Sequence, residues 1–169
     1  MKAYFVEQAA YQGWACDELF KSLDTLGDEQ RQAHVGLFFN NIHKTTDHIL
    51  VVTRNWRARL DGAFDHIVNY DTLLYPQWAE LKLALLAEFT ELHIWLAQKP
   101  EPWFFSGVEY PGAGGNVRKI GVSDALTHIM THAVHHRGQI SAAATRLHAP
   151  SPEMDFVFYR WRAKPHALD

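Results

Sequence analysis

Residues 124–144, DALTHIMTHAVHHRGQISAAA, constrain this chain more than any other stretch. The run has no proline, is long enough for several helical turns, and carries His128, His132, His135 and His136. His128, His132 and His136 step by four. On an α-helix each such step returns the side chain to within ~40° of the last, one turn along. Imidazoles one turn apart can aim two nitrogens at a single point, which is how helical histidine pairs hold metal ions. The other side is small and apolar, with Ala125, Ile129, Ala133, Ile140, Ala143 and Ala144 leaving room for close helix neighbours. Ser123 is placed to cap this helix, and Asp124 suits the dipole of its first turn. Gly138 costs about 1 kcal/mol against alanine inside a helix, so it implies a backbone passing close or a local irregularity.

Other segments show the same period. Residues 3–24 place Phe5, Ala9, Ala15, Leu19, Phe20 and Leu23 near the helical repeat. Asp28-Glu29-Gln30 opens a second helix that is expected to run to about Leu60, with Val35, Phe38, Phe39, Ile42, Ile49, Leu50, Val52 and Trp56 on its apolar side and His34, His43 and His48 along it. Residues 61–76 read as a loop with a short helical turn. Residues 77–98 return to helix through Trp78, Leu81, Leu85, Phe89, Leu92 and Leu96, and Pro100 and Pro102 stop it. Aromatic and β-branched runs around Pro111-Gly112-Ala113-Gly114-Gly115 predict a small β-hairpin just before the histidine helix. A last short helix is expected over 152–162.

The expected architecture is therefore all-α and one domain, residues 1–169. It is an antiparallel four-helix bundle with a short fifth C-terminal helix and a small β-hairpin insertion before the fourth helix. Such bundles build metal sites from side chains on facing helices. A chain of 169 residues buries roughly 70% of its unfolded surface. Its 47% hydrophobic and 21% charged residues are those of an ordinary globule. A net charge of −3 gives no footprint for nucleic acid. No apolar run approaches the ~20 residues that cross a bilayer, and MKAYFVEQAA lacks a signal-peptide core. The single cysteine, Cys16, excludes an internal disulfide framework and fits a reducing, cytoplasmic setting.

A helical histidine pair is more often a packed or surface feature than a metal site. A third histidine on a separate helix changes the balance: His48, flanked by Asp47 and Ile49-Leu50-Val51-Val52. Three protein ligands with an open position describe a catalytic site, whereas a structural zinc site wants four ligands, commonly with cysteines. His128 is a fourth ligand or a position at the site edge. Gln139 either hydrogen-bonds a ligand imidazole or bound water, or packs between helices. Arg137 pairs with a carboxylate or is solvated. Cys16 is a metal-facing thiol or a buried inert one. Trp14, Trp56, Trp78 and Trp103 are core aromatics, and residues 103–110 line a mouth to the site or cap the end of the bundle.

His132-Ala133-Val134-His135-His136-Arg137-Gly138-Gln139 resembles the HxxHHRGQ signature of the DinB/YfiT-like family of metalloenzymes. Tyr11-Gln12-Gly13-Trp14-Ala15-Cys16 resembles its YNxWAN motif, and Asp47-His48-Ile49-Leu50 with Arg54-Asn55-Trp56 its NHxL and RxW motifs. Pro152-Glu153-Met154-Asp155 and Tyr159 resemble its C-terminal segment. The resemblance spans nearly the whole chain. It implies a divalent transition metal, zinc or nickel, on His48, His132 and His136. It further implies a homodimer, and a thiol transferase or hydrolase acting with a small-molecule or low-molecular-weight thiol substrate. The alternative is a non-catalytic metal-binding or stress-associated dimer. The chain departs from the motifs at Gln12 and Cys16, where asparagines are usual, and at Thr53, where an acid is.

Overall fold

A computed structural model describes residues 1–163. It is mostly helical, with six helices and one two-stranded hairpin among those residues. Helix α1 spans Lys2–Leu23, α2 Asp28–Gln32, α3 Ile42–Asp61, α4 Trp78–Gln98, α5 Val122–Arg146 and α6 Phe156–Ala163. Strands β1, Gly107–Pro111, and β2, Val117–Gly121, pair antiparallel with Val108 opposite Ile120 and Tyr110 opposite Arg118.

Several expectations need correction. The segment from Asp28 to Leu60 is not one helix. Residues 33–41 leave the helical path, with Gly36 at φ 76° and Asn40 at φ 71°, both left-handed. Asn41 then starts α3 afresh, its side chain accepting the Lys44 N–H at 2.7 Å. The hairpin consequently precedes the fifth helix rather than the fourth, and the C-terminal helix is the sixth. That last helix begins at Phe156, later than the expected 152. Lastly, Ser123 lies inside α5 and does not cap it; the cap position is Gly121, without a side-chain bond. Trp103 and Phe104, read as part of the hairpin run, sit in a short 3₁₀ turn, Glu101–Phe105.

Helix α3 holds its form despite the β-branched run Ile49, Val51, Val52 and Thr53, which lowers helix propensity. Burial outweighs that loss: Ile49, Leu50 and Val51 are fully buried, and each large apolar side chain so buried contributes ~1.5–3 kcal/mol. Thr45, Thr46 and Thr53 turn their hydroxyls back to carbonyls one turn earlier, so none of these three hydroxyls is stranded. Gly62, at φ 76°, ends the helix in the left-handed conformation that glycine adopts without cost.

The four long helices pack in pairs: α1 lies against α4 and α5, and α3 against the same two. Their shared core contains Leu19, Leu23, Ile49, Leu85, Phe89, Leu92, Ile129 and Ile140. Alanines 125, 133, 143 and 144 of α5 are buried, as small residues at a close helix contact should be. Glu88 of α4, almost wholly buried, accepts from Arg54 and Arg57 of α3 at 3.0 and 2.7 Å. At the other end of α4, Asp24 takes the Trp78 indole N–H at 2.9 Å and pairs with Lys82 at 2.6 Å. These contacts set α3 and α5 side by side, and His48 therefore faces the histidine stripe.

Candidate metal centre

His48 of α3 meets His132 and His136 of α5. The Nε2 atom of His132 lies 3.3 Å from Nε2 of His48 and 3.2 Å from Nε2 of His136. One nitrogen from each of the three lies within 4.8 Å of the others, an arrangement that could hold a metal ion. Four nitrogens set tetrahedrally at 2.0–2.1 Å from a zinc ion would be ~3.3 Å apart, which the two spacings at His132 match.

Hydrogen bonding fixes which ring nitrogen is free. His48 Nδ1 donates to the Tyr70 carbonyl at 2.9 Å. His136 Nδ1 donates to Gln139 Oε1 at 2.9 Å. In a neutral imidazole the other nitrogen then carries a lone pair. Both Nε2 lone pairs are aimed at the Nε2 of His132, which has one hydrogen at most and cannot satisfy both. A cation among the three nitrogens relieves that conflict, and oxygen acceptors on the far nitrogens are what ligating imidazoles require.

Electrostatics keep these rings neutral. Burial, and then the charge of His136, His48 and nearby histidines, pushes the pKa of His132 down to about 3. Burial and His48 push His136 down to about 4, against the opposing bond from Gln139. Burial also lowers His48, against the Tyr70 carbonyl and Asp47. Imidazoles held unprotonated at neutral pH are ready to ligate.

The support around His48 comes from two loops. Asp47, fully buried, accepts the N–H groups of Leu74 and Tyr75 at 2.9 and 3.0 Å. It thereby pins the loop that carries the Tyr70 carbonyl. Phe39, in the loop before α3, stacks on His48 with ring centroids 3.8 Å apart and also faces His136. The left-handed turn at Asn40 and the Asn41 cap point Phe39 inward while Phe38 stays 85% exposed.

The remaining candidates resolve as follows. The His128 ring lies 5.4 Å from that of His132, beside Trp56 and outside the cluster, at the site edge. His135 is exposed and also outside it, although its ring is 5.0 Å from that of His136. Gln139 is the acceptor for His136. Arg137 takes neither expected role: it is buried, donates to Gln12, and lies 4.0 Å from the Cys16 sulfur. Cys16 is buried away from the histidines, and burial raises its pKa. Of the aromatics in this run, Tyr110 faces Trp56 at the site, whereas Trp103 meets Trp95 and Phe104 edge to face elsewhere. Trp56 and Trp78 are buried; Trp14 and Trp103 are only partly so. A methyl added at Gly138 would meet nothing within 4 Å, and α5 runs through that position without a break, so neither expected reason for a glycine holds.

A family model described as the DinB family matches residues 1–167. The chain belongs to the DinB family. A search of curated proteins finds no significant match. Phe39 and the Tyr70 carbonyl are the parts of this DinB site that sequence reasoning missed. A backbone carbonyl leaves no sequence signal, and the helical period places Phe39 in a helix that does not extend that far. Asp47 did carry a signal: an acid next to a candidate ligand within an apolar run.

Proposed function

We propose that this DinB-family protein is a divalent-metal-dependent enzyme, a thiol transferase or hydrolase, with His48, His132 and His136 as the metal ligands. The observation that carries this reading is the convergence of three Nε2 atoms, two of them with their opposite nitrogens committed to oxygen acceptors. Zinc or nickel suits three neutral imidazoles, and no carboxylate or thiolate joins the cluster among the described residues. Three protein ligands leave coordination open, which distinguishes a working site from a closed structural one. Once bound, the ion supplies Lewis acidity that lowers the pKa of a thiol or water beside it. The chain's own residues do the rest. Tyr70 and Gln139 hold two imidazoles in one tautomer and one orientation, and Phe39 excludes water from one face of His48. His128 stands exposed at the rim, where a substrate enters.

The pairwise packing of α1, α3, α4 and α5 supports an antiparallel four-helix bundle as the frame. No helix of the described residues is long and apolar enough to cross a membrane. A cytoplasmic homodimer acting on a small thiol completes the proposal. Its test is a panel of thiols paired with epoxide, alkyl-halide and ester electrophiles, assayed with and without added metal. Metal-dependent turnover that His48→Ala abolishes, with the circular dichroism unchanged, supports the enzyme. A panel without metal-dependent turnover, on protein shown to bind metal, would favour the non-catalytic binding protein.

A further inference from the structure

The buried and half-buried arginines on the helices of the described core are met by oxygen atoms, with one exception. Arg31 donates to the carbonyls of Leu23 and Leu26 and to Asp28. Arg137 donates to Gln12. Arg54 and Arg57 converge on Glu88. Arg59 is only 8% exposed, and its Nε and Nη1 are sealed from solvent without an acceptor. Among the described residues its side chain makes no hydrogen bond and no ion pair. Its surroundings are aromatic: the guanidinium carbon lies 5.1 Å from the Trp56 ring centre, 5.5 Å from Tyr110 and 5.8 Å from Tyr70. A buried charged donor left unbonded costs more than cation–π contacts return. The rings therefore hold the guanidinium in place without replacing the oxygens it lacks. Nη2 is the one nitrogen of the three that is not sealed.

This cage adjoins the histidine cluster on two sides. Trp56 lies 5.2 Å, ring to ring, from His128, which in turn lies 5.4 Å from His132. Tyr70 faces Arg59 with its ring and holds His48 with its carbonyl. Arg59 sits three turns beyond His48 on α3, ~20° from the same stripe. The outer wall is open: Tyr70 is 42% exposed and His128 is exposed as well.

We propose that Arg59 is an anion subsite, and that the substrate is a small molecule bearing a carboxylate or phosphate at the end remote from the histidines. Nη2, the unsealed nitrogen, donates to an oxygen of that group, and Trp56, Tyr70 and Tyr110 line the path beside it. The place of the other end of the substrate rests on the metal reading above; the anion subsite itself does not.

The first test uses metal-free protein, titrated separately with inorganic phosphate and with acetate. Binding is followed by the melting temperature and by the Arg59 Nε–H cross-peak in ¹⁵N-correlated NMR. A saturable rise in melting temperature, with movement of that cross-peak, is expected for at least one anion, and comparing the two tells phosphate from carboxylate. Arg59→Gln should abolish the rise. A stationary cross-peak in the wild-type protein overturns the proposal whether or not the variant folds, and so does an Arg59→Gln protein that responds like wild type. The second test uses cobalt-loaded protein with 6-mercaptohexanoate against 6-mercaptohexan-1-ol, a pair long enough to span the three turns between His48 and Arg59, read by cobalt absorption. The carboxylate thiol should bind about ten- to a hundredfold more tightly, the size of one charge-assisted hydrogen bond, and Arg59→Gln should remove the difference. Equal affinities in wild type overturn the proposal. Anion binding to metal-free protein with no thiol effect on cobalt supports the subsite and counts against the metal reading.

Discussion

Protonation of His132 gives the sharpest test of how the site is held. Its pKa is pushed down to about 3 from the ordinary 6.5, chiefly by burial. The unfolded chain therefore binds a proton below about pH 6.5 that the folded chain refuses. The unfolded state holds more protons in that window, so stability falls as pH falls. One fully shifted group changes stability by ~1.4 kcal/mol per pH unit. His132 is only half-buried, and solvent screening trims the shift, and with it the total change. Between pH 6.5 and about pH 5, metal-free wild type should lose ~1 kcal/mol on account of this residue alone, or ~2–4 °C in melting temperature. The assay is urea denaturation of EDTA-treated protein across about pH 5 to 8, for wild type and His132→Gln. The low pKa of His136 stems from burial and His48, so it persists in the variant and cancels in the comparison. Stability curves that stay parallel across that range would refute a His132 held neutral by its surroundings.

Three further outcomes follow from particular contacts. Gln139→Leu removes the acceptor on His136 Nδ1 and should weaken zinc affinity about ten- to a hundredfold in chelator competition, with the fold unchanged. Gly138→Ala should raise stability by ~0.5–1 kcal/mol in urea denaturation, because nothing lies within 4 Å of the added methyl and α5 is unbroken there; destabilisation would mean that another surface covers this face. Glu88→Gln should cost ~1–2 kcal/mol by thermal melting, less than the ~3–5 of a fully buried pair, since Arg54 and Arg57 remain partly solvated.

The periodicity of α1, α4 and α5 was legible because each buries one continuous stripe. The break between α2 and α3 was not. Val35, Phe38 and Phe39 keep the helical spacing through it, and the deciding signals, Gly36, Asn40 and the Asn41 cap, are weak beside an apolar repeat. The site was half legible in the same sense. His132 and His136 follow from helical geometry. His48 stands out as a third histidine beside Asp47 in an apolar run, but its pairing with them depends on how α3 packs on α5, and the DinB resemblance supplied its assignment as a ligand. The oxygens that orient the rings were out of reach in one case and ambiguous in the other: a loop carbonyl at Tyr70, and a glutamine at 139 that could equally have packed. Arg59 had no sequence signal at all, because its lack of a partner is a property of the folded surroundings.

The central claim is that three imidazoles from two helices share one cation. Metal analysis of untagged protein, saturated with zinc or nickel and freed of excess by gel filtration, tests it most directly. Wild type should retain a single divalent ion per chain, and His48→Ala, folded by circular dichroism, should lose it. Wild type that retains no metal, or a His48→Ala protein that retains as much as wild type, would contradict the account.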